Sequence, residues 1–156
     1  MDKNEQLINA ARTGDLELIT SLISQGAEIN FQDSRGFTPL IIASYNDQLE
    51  AVRLLLEAEA DVNLQDFGGN TALMGVCFKG YPQIAELLIA HGADLNIRHG
   101  NGGTALMFAV LFGRDELVDI ALKNGADISI RENRGLTAID LAVQQGNVAA
   151  IELLER

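Results

Sequence analysis

His91, His99 and Cys77 are the residues best suited to metal ligation or nucleophilic chemistry in this chain. A structural zinc site needs about four Cys, His or carboxylate ligands at short recurring spacings. Two histidines and a lone cysteine do not supply that set. A nucleophilic cysteine needs a neighbouring base or a helix N-terminus to lower its pKa, whereas Cys77 lies in an apolar stretch and reads as a small core residue. Asp115-Glu116 is a pair of carboxylates with no acid/base partner in view. It opens a predicted helix, where acids favour the helix dipole. Gly100-Asn101-Gly102-Gly103 is glycine-rich, but the chain has no Gly-x-x-x-x-Gly-Lys-Ser/Thr loop and no Gly-x-Ser-x-Gly elbow. No catalytic residue, cofactor or metal site is therefore expected, and the chain is not read as an enzyme.

What positions these residues is a repeat. Asp33-Ser-Arg-Gly36-Phe-Thr38-Pro39-Leu40 recurs as Asp66-Phe-Gly-Gly69-Asn-Thr71-Ala72-Leu73, then as His99-Gly-Asn-Gly102-Gly-Thr104-Ala105-Leu106, then as Glu132-Asn-Arg-Gly135-Leu-Thr137-Ala138-Ile139. The step is 33 residues each time. A second signature keeps the same phase: Gly26-Ala-Glu-Ile-Asn30, Glu59-Ala-Asp-Val-Asn63, Gly92-Ala-Asp-Leu-Asn96 and Gly125-Ala-Asp-Ile-Ser129. Two in-phase motifs over several copies resemble the ankyrin repeat. The resemblance implies an all-α solenoid, built from a β-turn or hairpin loop followed by two helices in each unit. The 156 residues then form one domain, 1–156, with repeats near 1–32, 33–65, 66–98, 99–131 and 132–156.

The physical role of each position agrees. Gly36, Gly69, Gly102 and Gly135 fall at a turn, and Thr38, Thr71, Thr104 and Thr137 can cap the following helix. Pro39 suits a first helical position. Gly26, Gly92 and Gly125 can close the second helix in the left-handed conformation. Glu59 stands in that last column, and Asp47 replaces Gly14, Gly80, Gly113 and Gly146 between the helices. The family usually places His after Thr-Pro-Leu. Ile41, Met74, Met107 and Asp140 stand there instead, so apolar packing is expected to replace a histidine ladder. Leu40, Ala43, Val52, Leu55 and Leu56, with Leu73, Val76, Ala85, Leu88 and Ile89 one repeat on, form the expected buried set. The first repeat lacks the Thr-Pro-Leu motif and the last carries Glu155 in a column of Ile23, Leu56, Ile89 and Leu122, so both ends read as caps.

Composition narrows the function classes. The formal charge is −11, which disfavours nucleic acid, since phosphate binding needs a basic footprint. No run reaches the roughly 18 apolar residues of a membrane helix. The N-terminus lacks a signal-peptide pattern. A cytoplasmic monomer is expected.

The resemblance implies that a partner would contact the loop tips and the exposed side of the first helices, together a concave face. The repeat phase writes that face in columns. One runs Arg12, Tyr45, Phe78, Leu111, Gln144, and the next Thr13, Asn46, Lys79, Phe112, Gln145. The loops add Arg35 and Arg134, Phe37 and Phe67, and Arg98 and Arg131. Aromatic clusters on a surface are typical of interface centres. The candidate partner-binding residues are therefore Arg12, Arg35, Phe37, Tyr45, Phe67, Phe78, Lys79, Arg98, Leu111, Phe112, Arg131 and Arg134. They describe an apolar, locally basic groove suited to an apolar, partly acidic protein segment. The expected function is a non-enzymatic adaptor or accessory protein. The alternative is a regulatory subunit or inhibitor of one specific enzyme, such as a bacterial one.

Overall fold

In the computed structural model, which describes residues 1–156, ten helices form and no strand does. They are α1 (Lys3–Thr13), α2 (Leu16–Ser24), α3 (Pro39–Tyr45), α4 (Leu49–Glu57), α5 (Ala72–Lys79), α6 (Pro82–Ala90), α7 (Ala105–Leu111), α8 (Asp115–Lys123), α9 (Ala138–Gln145) and α10 (Val148–Leu154). None is longer than the 11 residues of α1. Isolated helices below about 12–15 residues are marginal in water, so packing between them must hold the fold.

That packing has two layers. The odd-numbered helices contact one another in order along the chain, the even-numbered ones do the same, and each pair of consecutive helices within a repeat is in contact. Leu7, Leu40, Leu73 and Leu106 stack as one buried column between layers, and Ile19, Val52, Ala85 and Val118 as another. Ala10, Ala43, Val76, Ala109 and Ala142 are also buried, and their small side chains let the odd-numbered helices approach closely. The expected buried set is buried apart from Ile89, which is partly buried against the core.

The columns end unevenly. Val143 continues the buried column of Ala11, Ser44, Cys77 and Val110, yet it is 61% exposed because no helix pair lies over it. Ile139 and Ile151 are likewise only partly buried, and Val148 is exposed. Glu155 is exposed, as its charge requires. No helix is long and apolar enough to cross a membrane.

The helix starts follow the sequence signals. Thr38, Thr71, Thr104 and Thr137 each accept a hydrogen bond from the backbone N–H three residues on, at 3.1, 3.2, 3.4 and 3.3 Å. Losing such a cap costs about 1 kcal/mol. At the position where histidine is usual, Ile41, Met74 and Met107 are buried. Asp140 differs: its Oδ2 accepts from the Thr137 N–H at 2.9 Å and completes a capping box. Two non-glycine residues adopt left-handed backbone, Asp47 at φ 57° and Glu59 at φ 69°. Both lie in the second repeat, and Glu59 bears a strain of about 1 kcal/mol.

Candidate functional site

Each loop is closed by a backbone pair, such as Asp33 N–H to Phe37 C=O at 3.0 Å and Asp66 N–H to Asn70 C=O at 2.8 Å. The residue that heads the loop also caps it. Asp33 Oδ1 accepts from the Arg35 and Phe37 N–H groups, Asp66 Oδ1 from Gly68 and Asn70, and Glu132 Oε1 from Arg134 and Leu136. His99 does the same with its Nδ1, which accepts from the Asn101 N–H at 3.1 Å. The imidazole in this position is a loop cap, and its ring meets Phe108 edge-on with centroids 5.4 Å apart.

Successive loops are tied together. Phe67 N–H donates to Arg35 C=O, Gly100 N–H to Gly68 C=O, and Asn133 N–H to Asn101 C=O, at 2.9–3.1 Å. A side-chain column reinforces the ties. Gln32 Nε2 donates to the carbonyls of Gly36 and Gln65, and Gln65 Nε2 to those of Gly69 and Arg98. Arg98 repeats the pattern with Gly102 and Arg131, and Arg131 donates to Gly135. Arg98 does what the glutamines do one and two repeats earlier and bridges a loop to its neighbour, whereas Arg131 holds only its own loop.

This sorts the six candidate basic residues. Arg98 and Arg131 are bound to backbone carbonyls, and Arg131 also lies 4.0 Å from Asp140. Arg134 pairs with Glu132 at 2.8 Å, which holds the Glu132 carboxyl below its usual range. Arg12 donates to Asn9 at 2.7 Å. The Lys79 ammonium stands 5.0 Å from the centre of the Tyr45 ring, a cation–π contact worth about 0.5–1 kcal/mol at an exposed site. The Arg35 guanidinium has no hydrogen bond and no ion pair within the chain; only its backbone is engaged.

The aromatic candidates form a line across three repeats. Tyr45 and Phe78 have ring centroids 6.1 Å apart, Phe78 and Phe112 4.5 Å apart, both pairs tilted near 50°. Tyr45 is 42% and Phe112 47% exposed, and Phe78 between them is half-buried, so the two ends of the line are presented to solvent. Phe37 and Leu111 are half-buried on either side. Phe67 stands apart from the line at a loop tip and is 71% exposed.

Beside the line is a cavity of about 430 Å³. Phe37, Tyr45, Phe78 and Phe108 wall it, Gly75 floors it and Arg35 stands at its rim. Gly75 occupies the repeat position held by Asn9, Ile42, Phe108 and Leu141. It lies inside α5 without a positive φ, so the backbone there does not require glycine. Within a helix glycine costs about 0.5–1 kcal/mol relative to alanine. The missing side chain opens the cavity between Ile42 and Phe108.

Gly75 and Phe108 were not among the residues singled out from sequence. The signal was available: their column lies three residues before the Tyr45–Phe78–Leu111 column, on the same helical face. Within that column a glycine sits between bulky neighbours. The remaining reactive group is sequestered: Cys77 is buried, and burial pushes its thiol up to about 12, leaving it protonated at neutral pH.

A family model for ankyrin repeats in three copies matches residues 7–99, and a second, for ankyrin repeats in many copies, matches residues 88–142. No curated protein matches the chain.

Proposed function

Because the chain belongs to the ankyrin repeat family, whose members are generally protein-interaction modules, we propose that it is a non-enzymatic adaptor or accessory protein. Its partner contacts the face made by the loops and the odd-numbered helices. The observation that carries this is the aromatic line Tyr45–Phe78–Phe112, exposed at both ends and half-buried at Phe78, which runs over three repeats. Exposed aromatic anchors at the centre of a rigid surface are the usual source of binding energy in an interface. Short helices packed into one stack hold these rings in place before binding, which lowers the ordering cost.

The proposed contact residues are Tyr45, Phe78, Leu111 and Phe112 at the centre, Phe37, Arg35 and Lys79 beside them, and Arg12, Phe67, Arg98, Arg131 and Arg134 at the margins. A segment with apolar anchors and some carboxylates suits this face. The chain's net charge of −11 repels acidic partners that miss the basic residues.

The test is co-purification with the tagged protein. The Tyr45→Ala/Phe78→Ala double variant should lose the captured partner while its helical circular dichroism stays unchanged. Capture undiminished in a folded double variant sinks the assignment of this face. If the captured protein is an enzyme whose activity changes on binding, the protein is its regulatory subunit or inhibitor.

A further inference from the structure

We infer that the cavity over Gly75 is an anchor site for one bulky apolar side chain of the partner, aromatic or leucine-sized, whose own or neighbouring carboxylate pairs with Arg35. This rests on the reading that the face binds a protein, and adds the chemistry of the segment that binds. Three observations support it independently.

The first is shape. At about 430 Å³ the cavity falls within the roughly 300–1,000 Å³ range of ligand sites. It is open at one side and walled by Phe37, Tyr45, Phe78 and Phe108. An aromatic side chain entering there meets rings on several sides, where tilted and edge-on contacts are favourable.

The second is the position of the vacancy. In the other repeats after the first, Ile42 and Leu141 are buried and Phe108 is half-buried, so the column there fills its own space. The Tyr45 ring packs over Gly75, where a Cβ would come within 3.2 Å of its Cδ1, and both residues line the cavity that remains. The partner's side chain takes the place that the third repeat leaves empty.

The third is charge. Arg35 is at the rim with a guanidinium that nothing in the chain occupies. The other charged residue at the cavity, Asp66, is buried, and its oxygens accept from Gly68, Asn70 N–H and Asn70 Nδ2. That carboxylate is turned into its own loop, which leaves Arg35 free for a carboxylate from outside. A guanidinium takes a carboxylate through two parallel hydrogen bonds.

The test uses N-acetyl-L-phenylalanine and its primary amide as probes, titrated separately into isotope-labelled protein and followed by amide chemical shifts. Both should give saturable shifts centred on Gly75, Phe78 and Phe108. The free acid should bind about 5-fold more tightly than the amide, the scale of one exposed ion pair. Arg35→Gln should bring the two probes to the same affinity. Gly75→Leu should abolish both, because the new side chain fills the cavity as Ile42 and Leu141 fill theirs.

Absence of saturable shifts, equal affinity of acid and amide, or unaltered binding to Gly75→Leu overturns the proposal. If Gly75→Leu fails to fold, the acid-to-amide ratio in Arg35→Gln decides alone. The two readings separate in the capture experiment. A partner kept by Gly75→Leu but lost by Tyr45→Ala/Phe78→Ala overturns the anchor site and leaves the face standing. A partner kept by both overturns the face.

Discussion

The loops at 33–38 and 132–137 occupy the same place in the repeat, three units apart, and use the same residue types differently. In the last loop Glu132 accepts two backbone N–H groups with Oε1 and reaches the Arg134 guanidinium with Oε2 at 2.8 Å. In the second loop Asp33 makes the same two backbone contacts with Oδ1. Its side chain is one methylene shorter, and Arg35 is left unpaired. The glycines differ too. A Cβ at Gly36 would lie 2.7 Å from the Phe67 nitrogen, whereas one at Gly135 would meet nothing within 4 Å. A repeat position therefore has no fixed role. Whether its residue braces the array or faces a partner depends on one carbon in its neighbour and on whether another loop lies against it.

The glycine pair offers the largest effect. Both have left-handed backbone, at φ 81° and 86°, so either alanine substitution costs about 1 kcal/mol through the backbone alone. Gly36→Ala also forces the next loop away. It should lose about 2–4 kcal/mol in urea unfolding, the added part being the cost of overpacking. Gly135→Ala should lose about 1 kcal/mol. Equal losses would mean that the loops do not brace one another. Next comes relief of strain within the same second repeat. Glu59→Gly should raise stability by about 1 kcal/mol, visible as a higher thermal midpoint. A lower midpoint would mean that Glu59 makes a compensating contact in solution.

The fold was legible in the sequence because its determinants are local and repeated. Thr38 and Thr71 announce helix starts, and Gly26 and Gly92 helix ends. The 33-residue phase then aligns the buried columns. The cavity was harder to see, since it arises from something absent at Gly75, and an absence has meaning only against the column on either side. The fate of the arginines was not legible at all. Arg98 replaces Gln65 in its column, so it read as surface charge. Its hydrogen bonds to Gly102 and Arg131 depend on loop carbonyls brought together only by stacking. Val143 illustrates the converse: its type belongs to the core, and only its place in the last layer exposes it.

The carboxylates allow a finer test of the two loops. Asp33→Glu should give the second loop the arrangement of the last, with the longer side chain reaching Arg35. Binding of N-acetyl-L-phenylalanine should then weaken about 3- to 5-fold, within the range of one exposed ion pair, while the amide is unaffected. An unchanged acid-to-amide ratio would show that Arg35 stays free for reasons other than the length of Asp33.

The smallest effect concerns acid stability at the other loop. The Arg134 side chain, followed by the loop's N–H groups, lowers the Glu132 pKa against the opposing effect of desolvation. A folded-state value below the unfolded one means that stability is fully present above the ordinary glutamate range, and is lost as pH falls through the depressed value. Glu132→Gln keeps an oxygen for the two backbone donors but cannot pair with Arg134. The variant should therefore melt below the parent at pH 7, and the gap should narrow towards pH 3 as the parent's carboxylate becomes protonated. A gap that stays the same on acidification would mean that the ion pair at Arg134 contributes nothing measurable.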